Sequence, residues 1–236
     1  QRQMCIRDRN RHKDNGSLKF FDKEVTENDF KYKEHLGVVF DDLRVPDKLT
    51  LHSINKVFTE IYDAWNSDTF FSLTKAFELP TNNQIKTFSR GMRMKAALTI
   101  ALSHDAKLLI LDEATAGMDV SGREHVLEIL EDYLGDDRAI LISSHISEDI
   151  EQLATQLVFM RDGRIILKES KEVLLSQYGI IDQPVEHFNI SNEYLIATRR
   201  RNDRQISLVN NYQKVPDAQP LKTIDDATKI IMRGEV

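Results

Sequence analysis

The sequence predicts an α/β fold: a parallel sheet with antiparallel edge strands, a helical subdomain and a small C-terminal α+β appendage. Three observations carry this. The runs LLIL at 108–111 and AILI at 139–142 are short and continuously apolar, as expected of strands covered on both faces. Between them Val126, Leu127, Leu130 and Leu134 recur at helical spacing, so strand, helix and strand form a parallel βαβ unit. Residues 157–160 and 164–167 flank Asp162-Gly163, a two-residue hairpin signal that predicts an antiparallel edge next to the parallel core.

The remaining elements come in chain order. Residues 17–21 and 36–40 read as short strands. Leu51, Ile54, Phe58 and Ile61 share one helical face, with Thr50 as the N-cap. Residues 70–79 predict a second helix, ended by Pro80. A third starts near Ser89 and buries Met94, Ala97, Leu98, Ala101 and Leu102. Ser121 and Glu124 have the spacing of a capping box at the head of the βαβ helix. After Pro184 the character of the chain changes. Residues 193–197 and 206–209 can pair around RRRNDR, and a last helix spans 225–232, with Thr223 near its start. The segments 10–183 and 184–236 are therefore read as a main domain and an accessory region. Residues 1–9, QRQMCIRDR, have no apolar period and read as a non-native junction.

Composition narrows the function. With 41% hydrophobic and 30% charged residues the 236-residue chain has enough apolar material for a packed core. The formal net charge of -6 argues against a general nucleic-acid binder. The one cysteine, Cys5, cannot form an intramolecular disulfide, which fits a reducing cytosol. No apolar run is long enough to cross a bilayer, so any membrane part belongs to another chain.

Asp112 and Glu113 come directly after the first covered strand. Successive side chains of a strand point to opposite sides, so the two carboxylates have separate tasks. One suits Mg2+, held through water, and the other suits orientation of an attacking water. Carboxyl ends of strands are where ligands of open α/β sheets bind. Taken alone the pair is more simply the start of a polar loop. In residues 86–102 a Ser and a Gly open a helix whose first turns carry Arg90, Arg93 and Lys95. Cations there oppose the helix dipole but favour an anion at the free backbone N–H groups. A capped helix with a solvated basic face accounts for these residues equally well. His145, in LISSHISED, comes after the second covered strand, and its ring can donate to a phosphate oxygen. A lone histidine is more often structural.

The order of these stretches resembles one family. FSRGM at 88–92 resembles the ABC signature, LLILDE the Walker B strand with its glutamate, ATAGMD at 114–119 the D-loop, and His145 the H-loop histidine. LGVVFDD at 36–42 stands where the Q-loop strand is expected. The resemblance, over about residues 10–183, is to the ATP-binding subunit of an ABC transporter of the bacterial exporter type. It implies a P-loop NTPase core, with a helical subdomain at about 43–104 that docks on a separate membrane permease. It implies ATP and Mg2+ as ligands, with Asp112 and Asp41 on the metal side. Glu113 would polarise the attacking water and His145 would meet the γ-phosphate. Ser89, Arg90 and Gly91 would face the nucleotide of a second ATPase subunit, and Asp119 would link the two sites of an ATP-sandwich dimer. The subunit would lie at the cytoplasmic face of the membrane, held there by its permease.

Several residues depart from that pattern. Arg90 and Met92 replace the usual Gly and Gln of the signature, Asp41 stands at the Q-loop glutamine, and Val120 replaces a proline. No G-x-x-x-x-G-K-[ST] occurs in the chain. The expectation is that the phosphate loop lies upstream of residue 10 in the parent, which hydrolyses ATP, and that the chain as given binds ATP poorly. A non-hydrolytic interaction or regulatory module is the alternative, motivated by the altered signature and Asp41. A soluble ABC ATPase of DNA repair or translation is disfavoured: long coiled-coil insertions and a second cassette are both missing from the sequence.

Overall fold

The computed structural model describes residues 15–25 and 31–235. The 1–9 segment and Cys5 lie outside the described residues. The chain divides into two compact units, Gln1–His145 and Ile146–Val236.

In the first unit, β1 (Lys19–Phe20) and β2 (Lys23–Glu24) form a hairpin. The sequence pattern runs this strand on to Phe21, but Phe21 and Asp22 take left-handed φ values of 47° and 61° and make the turn instead. β3 (Leu36–Val39), β4 (Leu108–Asp112) and β5 (Ala139–Ser143) form a parallel sheet in the order β3-β4-β5. Central β4 contributes Leu109, Ile110 and Leu111, all buried. β5 was expected to be covered on both faces, yet Ala139 is exposed and the rest only half-buried. It is one of the two outer strands among those described, with β4 as its neighbour.

Three helices come from the middle of the chain. α1 (Leu51–Ile61) is capped by Thr50, whose side chain accepts from the Ser53 N–H. α2 (Ser67–Ala76) is capped in the same way by Asn66. α3 (Arg90–Leu102) buries Met94, Ala97, Leu98 and Ala101 as the spacing predicts, and leaves Leu102 half-buried. It crosses β3 closely. A Cβ on Gly37 would stand 2.5 Å from the Leu109 side chain and 3.0 Å from the Ala101 carbonyl, so only glycine fits there.

α4 (Val120–Tyr133) is the crossover between β4 and β5 and buries Val126, Leu127 and Leu130. Two expectations change. Its N-cap is Asp119, whose carboxylate accepts from the Gly122 N–H at 3.1 Å, so Ser121 lies inside the first turn and forms no capping box. A carboxylate at that end also favours the helix dipole, which a serine does not. The helix then stops at Tyr133. Leu134 is the extended C-cap and is exposed, and Tyr133 is buried in its place.

The second unit comprises α5 (Ser147–Leu153), the hairpin β6 (Gln156–Arg161) and β7 (Arg164–Ser170), α6 (Lys171–Gln177), β8 (Gly179–Pro184), β9 (Leu195–Arg201), β10 (Arg204–Val209), β11 (Gln219–Pro220) and α7 (Ile224–Arg233). β6 and β7 turn at Asp162-Gly163 and form a two-stranded sheet of their own, instead of extending the parallel one. The antiparallel sheet β11-β8-β10-β9 packs on α7 through Leu208, Ala197, Ala227, Ile230 and Ile231. β8 precedes the sequence boundary at 184 yet pairs along its length with β10, so it belongs to the C-terminal sheet.

Candidate functional site

Parallel pairing sets the site at the carboxyl ends of β4 and β5. Asp112 stands opposite Ser143, whose hydroxyl donates to its carboxylate at 2.6 Å. The next residue leaves the sheet. The Glu113 N–H donates to the Ser143 carbonyl at 3.0 Å, and Glu113 itself adopts φ 52°, a left-handed conformation uncommon outside glycine, asparagine and aspartate. That kink turns the chain out of the strand, and the two carboxylates have separate partners, Ser143 and His145. His145, two residues beyond Ser143, brings Nδ1 to 3.5 Å from Glu113 Oε1, with both side chains open to solvent. Asp112, Glu113, Ser143 and His145 therefore form one constellation on two neighbouring strands.

A second group gathers at the head of α3. Ser89 is its N-cap, with the Met92 N–H donating to the hydroxyl at 3.2 Å. Arg90 and Gly91 come next, facing the loop after Glu113. A Cβ on Gly91 would lie 3.5 Å from the Gly117 carbonyl, and a Cβ on Gly117 would meet the Arg90 side chain at 2.9 Å. Gly117 also takes φ 80°, a conformation that calls for glycine. Asp119, at the end of this loop, is exposed, and its carboxylate caps α4. Asp41 is exposed beyond β3. Its neighbour Asp42 is the engaged carboxylate: the Arg93 Nε donates to it at 2.8 Å. Arg93 holds Asp42 ionised below its ordinary value, while partial burial works the other way.

The donor set suits a hard cation only in part. β3 and β4 pair with Val39 opposite Leu111, so the loop bearing Asp41 leaves the sheet beside Asp112. Among the described residues no three His, Cys, Asp or Glu side chains gather to hold a metal by themselves. One or two carboxylates and a hydroxyl fit Mg2+ that is completed by water and by oxygens of a bound phosphate.

The family model described as ABC transporter matches residues 5–116. The lantibiotic transport ATP-binding protein SrtF of Streptococcus pyogenes is 30% identical over 190 residues, which cover 80% of this chain and 77% of that protein. The chain belongs to the ABC transporter ATP-binding family. The linearmycin resistance ATP-binding protein LnrL of Bacillus subtilis is 27% identical over 177 residues, covering 72% of this chain and 56% of LnrL. Among solved structures, an ATP-binding subunit of an ABC transporter superposes with a TM-score of 0.67 at 18% identity, over 73% of this chain and 74% of that one. A dimeric ATP-binding cassette bound to ADP and Pi gives 0.63 at 16%, over 72% of this chain and 79% of its own. At such identities these two show the ABC ATPase fold.

The family match begins at residue 5, inside the 1–9 segment that composition sets apart. Among the described residues of this ABC protein no helix is long and apolar enough to cross a membrane. The sequence alone brings forward Asp112, Glu113, His145, Ser89, Arg90, Gly91, Asp119 and Asp41. It passes over Ser143, whose only signal is its place at the end of a covered strand, and Asp42, which gives none. Arg93 stands out as a basic residue, but nothing local points to carboxylates about fifty positions earlier.

Proposed function

We propose that this protein is the ATP-hydrolysing subunit of an ABC transporter and powers a separately encoded membrane permease. It would lie at the cytoplasmic face of the membrane, held by that permease. The observation that carries the reading is the pair Glu113–His145 at 3.5 Å, beside an Asp112 held by Ser143. A glutamate in that position can accept a hydrogen bond from water and orient it toward a terminal phosphate. His145 can donate to an oxygen of that phosphate. Asp112, with Asp41 on the loop that leaves the neighbouring β3, would hold Mg2+ through water, and the ion would neutralise charge developing on the phosphates. Ser89, Arg90 and Gly91 offer a hydroxyl, a cation and a backbone N–H to the nucleotide of a second ATPase subunit. Asp119 would link the two sites in the same dimer. The names of the relatives, lantibiotic transport and linearmycin resistance, support an exporter.

The 236 residues contain no G-x-x-x-x-G-K-[ST], so this polypeptide by itself is proposed to bind Mg-ATP weakly and to be inactive. One experiment tests both parts. Mg-ATP binding and turnover are measured for the gene product that supplies a phosphate loop, for its Glu113→Gln form, and for the 236-residue chain. Expected are turnover in the first, an ATP-dependent dimer without turnover in the second, and weak binding in the third. Ordinary turnover in Glu113→Gln would remove the role given to Glu113. Tight Mg-ATP binding by the 236-residue chain would overturn the second part. Nucleotide binding with no turnover in the gene product would favour the regulatory module, a reading that the exchange of Gly and Gln for Arg90 and Met92 supports.

A further inference from the structure

Arg93 makes four hydrogen bonds into one loop. Its Nε and Nη2 reach the two oxygens of the Asp42 carboxylate at 2.8 and 3.3 Å. Nη1 reaches Asp47 Oδ1 at 3.0 Å, and Nη2 also reaches the Leu43 carbonyl at 3.1 Å. A planar guanidinium can grip two carboxylates and a carbonyl in this way, whereas an ammonium cannot reproduce the fork. The loop so held is the one that leaves β3, and Asp41 is in it. The residue that holds it is in the first turn of α3, four positions after Ser89.

The same loop is fastened to the chain just before Ser89. The Lys86 N–H donates to the Asp47 carbonyl at 3.0 Å and the Ile85 N–H to the Leu49 carbonyl at 2.9 Å. Thr50 and Gln84 pair as an antiparallel bridge. On its other side the turn meets the loop after Glu113, through Gly91 against the Gly117 carbonyl. The head of α3 is thus bound to the loop leaving β3 and packed against the loop leaving β4.

We propose that Arg93 is a positioning residue that makes Asp41 and the Ser89–Gly91 turn move as one body. The inference rests on the proposed function, in which Asp41 faces the subunit's own nucleotide and Ser89 and Gly91 face the partner's. Arg93 would then carry the state of one ATP site to the contact made on the other. It touches neither nucleotide. Its task is to keep two contacts in register, each aimed at a different phosphate group.

The first test needs no nucleotide. Amide hydrogen exchange is followed by mass spectrometry in the 236-residue chain and in Arg93→Lys, Arg93→Gln and Asp47→Asn. Expected is roughly tenfold faster exchange in both 41–49 and 89–94 for Arg93→Gln, the factor set by one lost charge-assisted hydrogen bond. Arg93→Lys should restore only part of the protection, and Asp47→Asn, which removes one charge but keeps an acceptor oxygen, should show a smaller effect in the same two segments. Exchange in β4 should stay unchanged. Faster exchange in one segment alone, or in neither, would overturn the coupling. Faster exchange everywhere, β4 included, would mean a merely structural residue and would also overturn it. The mild Asp47→Asn form keeps the test open should Arg93→Gln fold poorly.

The second test uses the gene product with its phosphate loop. Arg93→Gln should lower kcat about tenfold or more and leave KM for Mg-ATP within about twofold, because the lost register matters in the closed dimer and not in capturing nucleotide. A rise in KM with kcat unchanged would overturn the proposal. Should Asp41→Asn leave the Mg2+ dependence of turnover untouched while the exchange coupling holds, the metal-side reading of Asp41 fails and the clamp survives it.

Discussion

Tyr133 fastens the end of the crossover helix to the start of the central strand. Its hydroxyl donates to the Ala106 carbonyl at 2.8 Å, and its ring is buried beneath the Arg138 guanidinium at 5.2 Å. Burial pushes the phenol up to about 12 from its ordinary 10.0, against the opposing pull of Arg138. A folded value above the unfolded one gives a contribution that is complete below about pH 10 and is lost as the pH rises toward 12. Tyr133→Phe should therefore cost about 1 kcal/mol at neutral pH. The difference in urea midpoint between the two proteins should shrink from pH 9 to pH 11. A constant difference would show that the hydroxyl does not titrate as described. The sequence makes Leu134 the inward residue of this helix, because helical spacing continues through it. What spacing cannot give is the extended backbone at 134, which ends the periodicity one residue early and sends Leu134 to solvent. Glu113 and His145, by contrast, are legible, since each stands just past the end of an apolar strand.

At the scale of elements, helix caps are the most readable feature. Thr50, Ser89 and Thr223 each accept from the N–H three residues on, at helix starts that the sequence marks. The start of α4 is not, because Ser121 and Glu124 offer a plausible box two residues too late. Asp119, the true cap, is also the residue proposed to reach across the dimer. Substitution can separate the two tasks. Asp119→Asn keeps a cap oxygen and should leave stability within about 0.5 kcal/mol, whereas Asp119→Ala should cost about 1 kcal/mol. If Asp119 acts across the dimer, Asp119→Asn should still slow turnover in the gene product although the helix is intact. Loss of turnover in the Ala form alone would leave capping as its whole role. Strand pairing is less legible than capping. Leu157 and Phe159 face the cluster of Leu174 and Leu208, and no local pattern tells a hairpin which neighbour will cover it.

The whole molecule divides at His145/Ile146, and the second unit has a core of its own. Leu174, Leu208, Ala227 and Ile231 are fully buried within it, and Ile181, Val209 and Val215 form a second cluster. Residues 146–236 expressed alone should therefore unfold in a single cooperative transition, with a urea m-value of about 1 kcal/mol/M. A gradual, non-cooperative loss of the far-ultraviolet signal would show that the unit needs the rest of the chain. The sequence draws its line at Pro184 because composition changes there. Composition is a local quantity. The pairing of β8 with β10 spans about twenty intervening residues, and that with β11 spans more; these pairings show that residues 179–184 belong with the C-terminal strands.

The left-handed backbone at Glu113 has a consequence for how this sequence can drift. An L side chain in that conformation costs on the order of 1 kcal/mol, which glycine or asparagine would largely avoid. Selection for stability alone would replace the glutamate, whereas the role proposed for its carboxylate would retain it. In lineages that cease to need turnover, this position should be among the first to change, and the change should make the protein more robust.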